Sequence, residues 1–164
     1  MSWYNFFKFL HILAVVVMVG GIFARQLVRG IAQRSVDVKV IESLTQTAGR
    51  IDWAMVIPGG NFVVVFGVVL ALMLKWPLFG FLQGASQNWL LVSNILLILT
   101  MILVGTVFIP YNKKLEAIIQ NALAEGHVTS ELSAALNEQT NKVAHYIEEA
   151  MVLIVTALMV LKPF

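Results

Sequence analysis

The stretch FFKFLHILAVVVMVGGIFARQLVR, from Phe6 to Arg29, decides the fold. It is long enough to cross the hydrocarbon core of a bilayer, which takes about 20 apolar residues in a helix. A histidine lies near one end of the stretch and arginines lie at the other. Ionisable side chains are expensive inside a membrane, so His11 and Arg25 are candidate functional residues by position.

The composition is that of a membrane protein. Of 164 residues, 59% are hydrophobic and 12% are charged, whereas soluble domains are about one quarter charged. The lipid bilayer is therefore the predicted partner. The net charge of +2 does not indicate nucleic-acid binding, because the basic residues flank the apolar segments. The lack of cysteine excludes disulfides, iron–sulfur clusters and thiolate ligation of haem.

Four segments are predicted to span the membrane, over residues 3–28, 53–74, 89–110 and 143–161. The expected fold is all-α, a four-transmembrane-helix bundle with cytoplasmic helical extensions, and residues 1–164 form one domain. Ser35 is predicted to cap the first extension and Gly49 to end it. Pro110 is expected to end or bend the third span, and Thr129 or Ser130 to cap the helix that leads into the fourth.

The distribution of basic residues predicts the orientation. Most Lys and Arg residues lie in or beside the two long connections, whereas the opposite side holds only Lys8, Lys75 and Lys162. Basic loops stay in the cytoplasm. We therefore expect a multi-pass protein of the inner (plasma) membrane with both termini outside and both long connections inside.

His11 is the candidate metal ligand. On a helix it shares one face with Val15, Met18, Ile22 and Arg25. Its imidazole either ligates a metal, for which haem iron between helices is the best candidate, or forms a hydrogen bond to Ser, Thr or Asn across the bundle.

Three further residues are candidates to complete or flank a cofactor site. Met18 lies on the His11 face, and Ser93 and Asn94 lie about 6–8 Å inside the third span, counted at 1.5 Å per residue. The alternative role of these residues is packing. His145 is not expected to be the second ligand, because it enters the membrane from the cytoplasmic side, roughly 15–20 Å from the depth of His11.

Charged side chains at the cytoplasmic ends of two spans form the other candidate site. Glu148 and Glu149 in the fourth span match Arg25 and Arg29 in depth. At least one carboxylate is expected to pair with one arginine, as a structural ion pair that orients helices. The alternative is a role in proton transfer.

Several motifs resemble known membrane families. The segment from His11 to Phe23, HILAVVVMVGGIF, is similar to the first helix of HemJ-type protoporphyrinogen oxidases, of CopD-like copper-resistance proteins, and of a related uncharacterised family of four-helix membrane proteins. Pro58, Trp89 and the C-terminal segment from Leu158 to Phe164 also match the HemJ pattern. The resemblance implies a four-helix bundle that binds haem b through His11.

Two positions depart from that pattern. Met18 stands where these families have an aromatic residue, and Ser93 stands where HemJ proteins have a functional lysine. A hydroxyl cannot replace an amine as a base, so the resemblance implies the uncharacterised family rather than protoporphyrinogen oxidation.

Three functions follow as hypotheses. The first is a b-type haem protein in redox or porphyrin chemistry, which as an enzyme would be a membrane oxidoreductase. The second is a non-catalytic subunit or assembly factor, either as a homo-oligomer or in a larger respiratory or photosynthetic membrane complex. The third is copper or solute permeation, which ranks last because the methionines lie at scattered depths.

Overall fold

The structure, a computed structural model, describes residues 2–163. Phe164, the last residue of the C-terminal segment that resembles HemJ, lies outside this range, as does Met1. The described part consists of helices and connections without a β-strand. Its α-helices are α1 (Trp3–Arg34), α2 (Val38–Ile51), α3 (Ile57–Met73), α4 (Trp89–Leu103), α5 (Ile109–Glu125), α6 (Ser130–Leu136) and α7 (Gln139–Leu161).

Four long helical stretches carry the apolar segments. They comprise Trp3–Arg34, Val38–Met73, Trp89–Glu125 and Ser130–Leu161, and each is long and apolar enough to cross a membrane. The predicted all-α fold with four candidate spans and helical extensions is confirmed. Val15, Met18, Ile22 and Arg25 are buried or half-buried like His11, so the predicted stripe is the inward face of α1.

Two predicted helix boundaries are wrong. The cap of α2 is Asp37, whose side chain accepts a hydrogen bond from the Lys39 amide at 2.8 Å, so Ser35 only precedes it. Gly49 does not end this helix, because the chain continues through it toward α3. A glycine inside a helix costs about 1 kcal/mol relative to alanine, and the packing of α2 outweighs that preference. Thr129 caps α6 as expected.

Proline does not break either of the helices that contain it. Pro58 and Pro110 each occupy the second position of an α-helix that follows a π-helical turn, Asp52–Val56 in one case and Val104–Phe108 in the other. Proline lacks the amide hydrogen and crowds the preceding turn, and a wider turn accommodates that crowding. The helix therefore continues past Pro110 to Glu125.

The spans are arranged as two close pairs. Helix α1 packs on α3, and α4 packs on α7. Glycine permits the first pairing: a Cβ placed on Gly59 would lie 2.9 Å from the Met18 backbone nitrogen, and one on Gly21 would lie 2.8 Å from the Met55 Cβ. Small residues at such contacts let backbones approach closely in membranes.

The α2, α5 and α6 helices form a helical cap at one end of the bundle, with an apolar core of its own. Ile41 and Leu132 are fully buried at its centre. At the opposite end, Trp76 and Trp89 pack edge to face, and the Lys162 ammonium lies 4.1 Å from the centre of the Trp76 ring. The two pairs of spans are thus joined at both ends of the bundle.

Candidate functional site

Five side chains form a closed polar ring at the end of the bundle that carries the helical cap. We call Arg25, Arg29, Asp52, His145 and Glu148 the polar ring. Arg25 donates through Nη1 to Asp52 Oδ1 at 2.7 Å and through Nη2 to Glu148 Oε2 at 2.5 Å. Arg29 Nη2 lies 3.9 Å from Asp52 Oδ2, so one carboxylate bridges both guanidinium groups. The ring connects α1 and α7 to the π-helical turn that precedes α3.

His145 closes the ring in a defined protonation state. Arg29 donates through Nη1 to His145 Nε2, and a guanidinium has no acceptor atom. Nε2 is therefore the unprotonated nitrogen of a neutral imidazole, and the proton lies on Nδ1. Nδ1 in turn donates to Glu148 Oε2, 3.2 Å away. His145 thus relays a hydrogen bond from Arg29 to Glu148.

Both π-helical turns supply a residue to this site. Asp52 begins the first turn, and Phe108 ends the second. The Phe108 ring stacks on His145 with centroids 4.3 Å apart and planes at 15°. The Arg25 guanidinium carbon lies 6.0 Å from the centre of the same ring. The two turns that accommodate proline therefore also position the polar ring.

The polar ring is balanced in charge, and three of its five members are buried. Arg25, His145 and Glu148 are 4%, 5% and 3% exposed. Two guanidinium groups face two carboxylates, so no net charge is buried. Removing one partner of a buried pair leaves an uncompensated charge, which costs about 3–5 kcal/mol. The ring therefore fixes how α1 and α7 sit against each other.

A polar cleft of about 640 Å³ opens beside the ring. Arg29 and His145 line it together with side chains from α1, α2, α5 and α7. Glu149 also lines the cleft. It is not a member of the polar ring, since the two arginines pair with Asp52 and Glu148 among the described residues.

His11 occupies a separate site between α1 and α3. It lies 14 residues before Arg25, or about 21 Å along a helix at 1.5 Å per residue. A Cβ on Gly67 would lie 3.1 Å from His11 Cε1, so the absence of a side chain there makes room for the imidazole. The backbone of Val63 also lies beside the imidazole. His11 Nδ1 is buried without a hydrogen-bond partner.

The other three cofactor candidates make local contacts. Met18 packs on Gly59 and Gly60 of α3. The Ser93 hydroxyl donates to the Trp89 carbonyl at 2.8 Å, and the Asn94 amide donates to the Leu78 carbonyl at 2.9 Å. The structure therefore gives neither polar side chain a hydrogen bond to His11.

Sequence reasoning missed two members of the polar ring. Asp52 directly precedes Trp53, at the start of the second predicted span. The argument that Glu148 and Glu149 lie at the same depth in the membrane as Arg25 and Arg29 applies equally to Asp52. The same argument could therefore have predicted that Asp52 pairs with an arginine. For His145 the sequence argues only against a role as the second iron ligand, because its partners lie on α1 and are brought close by the packing of α7.

The fold and the polar ring define a multi-pass, all-helical integral membrane protein. The chain belongs to the family DUF2269, described as a predicted integral membrane protein, whose family model matches residues 5–163. The expected membership of an uncharacterised membrane family is thereby confirmed. The similarity to HemJ-type and CopD-like proteins remains a prediction from the short motifs. Neither a curated protein nor a solved structure matches the chain significantly.

Proposed function

We propose that the protein binds haem b through His11 and acts in electron transfer within the membrane. The buried Nδ1 of His11, which has no hydrogen-bond partner, is the observation that carries this proposal. A buried polar atom without a partner costs about 1–3 kcal/mol, and a bound metal ion would offset that cost. The other two histidines are engaged by neighbouring groups.

The environment of His11 fits a haem ligand. A ligating imidazole uses one nitrogen for the metal and the other for a backbone carbonyl or carboxylate that orients the ring. The backbone of Val63 lies beside the ring, and Gly67 leaves space for the imidazole against α3. Bound haem supplies one-electron chemistry, and the protein sets its potential through the axial ligand and the surrounding polarity.

The other candidates for the site have contacts of their own. Met18 lies two helical turns from His11 and packs on α3, and Ser93 and Asn94 have carbonyl partners. With Ser93 in place of the lysine found in HemJ proteins, we propose electron transfer rather than oxidation of protoporphyrinogen.

The absorbance spectrum of the purified full-length protein tests the proposal. Haem binding predicts a Soret band that His11→Ala abolishes. His127→Ala is the matched control, because His127 is exposed in a polar turn where it contacts only Glu125, and it should keep the band. A colourless protein that also fails to bind added haem, or a band that persists in His11→Ala, would contradict the assignment.

A second candidate is a non-catalytic subunit of a larger membrane complex or a homo-oligomer. The observation that favours it is the low burial of the spans: 11% to 28% of the residues in their most apolar windows are buried within the chain. Mass spectrometry of the protein extracted under native conditions tests this candidate. Stoichiometric co-purification with defined membrane subunits or with further copies supports it, and a partner-free monomer contradicts it.

A further inference from the structure

We propose that the protein forms a homodimer in the membrane through the face of α3 that points away from α1. A second copy of the chain is the partner, and Asn61 lies at the centre of the contact. The inference rests on the second candidate function, in its homo-oligomeric form, and names the interface which that function needs. It is independent of haem binding, because His11 packs against Gly67 on the other side of α3.

Asn61 lies near the middle of the membrane. It is nine residues after Asp52 and twelve residues before Met73, the last residue of α3. At 1.5 Å per residue these separations are about 14 Å and about 18 Å, in a hydrocarbon core about 30 Å thick. The side chain is exposed on the surface of the chain. In a monomer it is therefore surrounded by lipid tails.

The exposed side of α3 around Asn61 has the residue spacing of a seam between two helices. Gly59 and Gly67 lie against α1, and Asn61 is two residues from Gly59, or about 200° around the helix. The exposed residues on this side follow each other at intervals of three and four, and we call them the Asn61 face: Ala54, Ile57, Asn61, Val64 and Val68. Two helices pack along such a spacing at a small crossing angle.

The Asn61 side chain differs from other polar side chains within the spans because it has no hydrogen-bond partner among residues 2–163. Hydroxyl groups in the spans donate to carbonyls of the preceding helical turn, at Ser93, Thr100, Thr106 and Thr156. The Asn94 amide donates to the Leu78 carbonyl. Lipid tails offer no hydrogen bond, so an exposed carboxamide at this depth is unfavourable until a partner supplies one.

A second copy supplies that partner by symmetry. A carboxamide carries both N–H donors and a carbonyl acceptor, so two Asn61 side chains can donate to each other. Across a two-fold axis along the membrane normal, each residue of the face meets its counterpart at the same depth. The remaining residues of the Asn61 face are apolar, and a single asparagine in an apolar seam fixes the register and the number of helices. A different membrane protein would need a polar group at this depth, which a second copy has by construction.

Self-association of the full-length protein in phosphatidylcholine vesicles tests the proposal, measured by single-molecule photobleaching at varied protein-to-lipid ratios. We expect a dimer whose self-association Asn61→Leu weakens about tenfold, because the apolar side chain cannot form the interhelical hydrogen bonds. Asn61→Gln keeps the donors and the acceptor and should retain most of the dimer. Thr156→Val is the matched control: it removes a polar group that is also exposed, on α7, but is hydrogen-bonded within its own helix, and it should leave the dimer unchanged.

Cysteine cross-linking then locates the interface, since the chain has no cysteine of its own. Val64→Cys and Val68→Cys place single thiols on the Asn61 face, and Ile98→Cys places one at an exposed position of α4. A disulfide needs Cα atoms within about 7 Å of each other. Oxidation in native membranes should therefore link two copies through at least one of the first two positions and not through Ile98→Cys.

Weaker self-association of Asn61→Leu, together with a cross-link on the Asn61 face, supports the proposal. It is overturned if the unmodified protein is a monomer, if Asn61→Leu dimerises like the unmodified protein, or if neither cysteine on the face forms a cross-link. A dimer that is linked through another face leaves the homo-oligomeric function standing and removes only this interface. Capture of a different membrane subunit through Asn61 would overturn the second copy as the partner and would support a larger complex instead.

Discussion

His11, His127 and His145 occupy three environments that assign three roles to one side chain. His127 is exposed, and its ring nitrogens contact Glu125. His145 is buried, but both of its nitrogens have partners in the polar ring. Among these three histidines, His11 is the one with a buried nitrogen that has no hydrogen-bond partner. The residue type alone therefore does not distinguish these three histidines. They differ in whether their ring nitrogens are exposed, hydrogen-bonded, or buried without a partner.

Glu148 and Glu149 provide a test of the polar ring at adjacent positions. Glu148→Gln should lower the free energy of unfolding by about 3 kcal/mol, because it removes one partner of a buried guanidinium. Glu149→Gln should change it by less than about 0.5 kcal/mol, since surface-type changes away from such contacts have small effects. Denaturation in mixed micelles measures both. Equal effects of the two substitutions would contradict the assignment of Glu148 as the ring member.

A double-mutant cycle gives a second reading of the same pair. The double variant Arg25→Met with Glu148→Leu should lose less free energy of unfolding than the two single variants lose in sum. The reason is that the double variant leaves no unpaired charge at this contact. Additive effects would mean that the two side chains do not interact.

Gly59 and Gly49 differ in what a methyl group would meet. Gly59→Ala would place its Cβ 2.9 Å from the Met18 backbone, so α1 and α3 must separate, at a cost of about 1–3 kcal/mol. Gly49→Ala meets nothing within 4 Å and should stabilise the protein by about 1 kcal/mol through helix propensity. Thermal unfolding in detergent measures both variants, and a Gly59→Ala protein as stable as Gly49→Ala would refute close backbone packing here.

The helices were easier to predict from the sequence than the contacts between them. The four spans follow from length and hydropathy, since an apolar segment of about 20 residues has few alternatives to a transmembrane helix. The cap at Thr129 follows from local hydrogen bonding. The continuation of the helix through Gly49 could not be predicted locally, because the packing of the helical cap outweighs the preference of a single residue.

The candidate site was less predictable than the elements. Depth, which needs only helix rise and span positions, predicts that Glu148 or Glu149 pairs with Arg25 or Arg29, and the structure shows the pair to be Arg25 with Glu148. The closed ring could not be inferred, because it depends on how α1 and α7 are rotated and on two π-helical turns that shift the register of Asp52 and Phe108. Residue spacing and depth alone do not give those rotations.

The helical cap has its own core and should unfold separately from the spans. Ile41→Ala removes a side chain with no exposed surface and should destabilise the cap by about 2–5 kcal/mol. Val40→Ala, at an adjacent exposed position, should have little effect. Hydrogen exchange measures the difference: amides of α2 and α6 should exchange faster in Ile41→Ala, while those of α3 and α7 within the membrane should not. Uniform acceleration along the whole chain would show that the cap is not a separate unit.

At the scale of the whole molecule, the orientation in the membrane is the property to test. The distribution of basic residues predicts that Ser2 and Ser86 face the outside and that Glu125 faces the cytoplasm. The chain has no cysteine, so Ser2→Cys, Ser86→Cys and Glu125→Cys each introduce a single label site. A membrane-impermeant maleimide should label the first two variants in intact cells and the third only after lysis. The reverse pattern would invert the topology.

The arrangement of the spans as two pairs has a consequence for how the molecule assembles. Each pair is formed by one half of the chain, and only residues 74–88 join the halves covalently. Two polypeptides interrupted near Gly84, made in the same cell, should each insert as a hairpin and then find each other. Neutralisation of Arg25 should weaken this reunion, because the second fragment would then bring Glu148 to a position that no longer offers its guanidinium, while the apolar contacts of α2 with α5 and α6 remain.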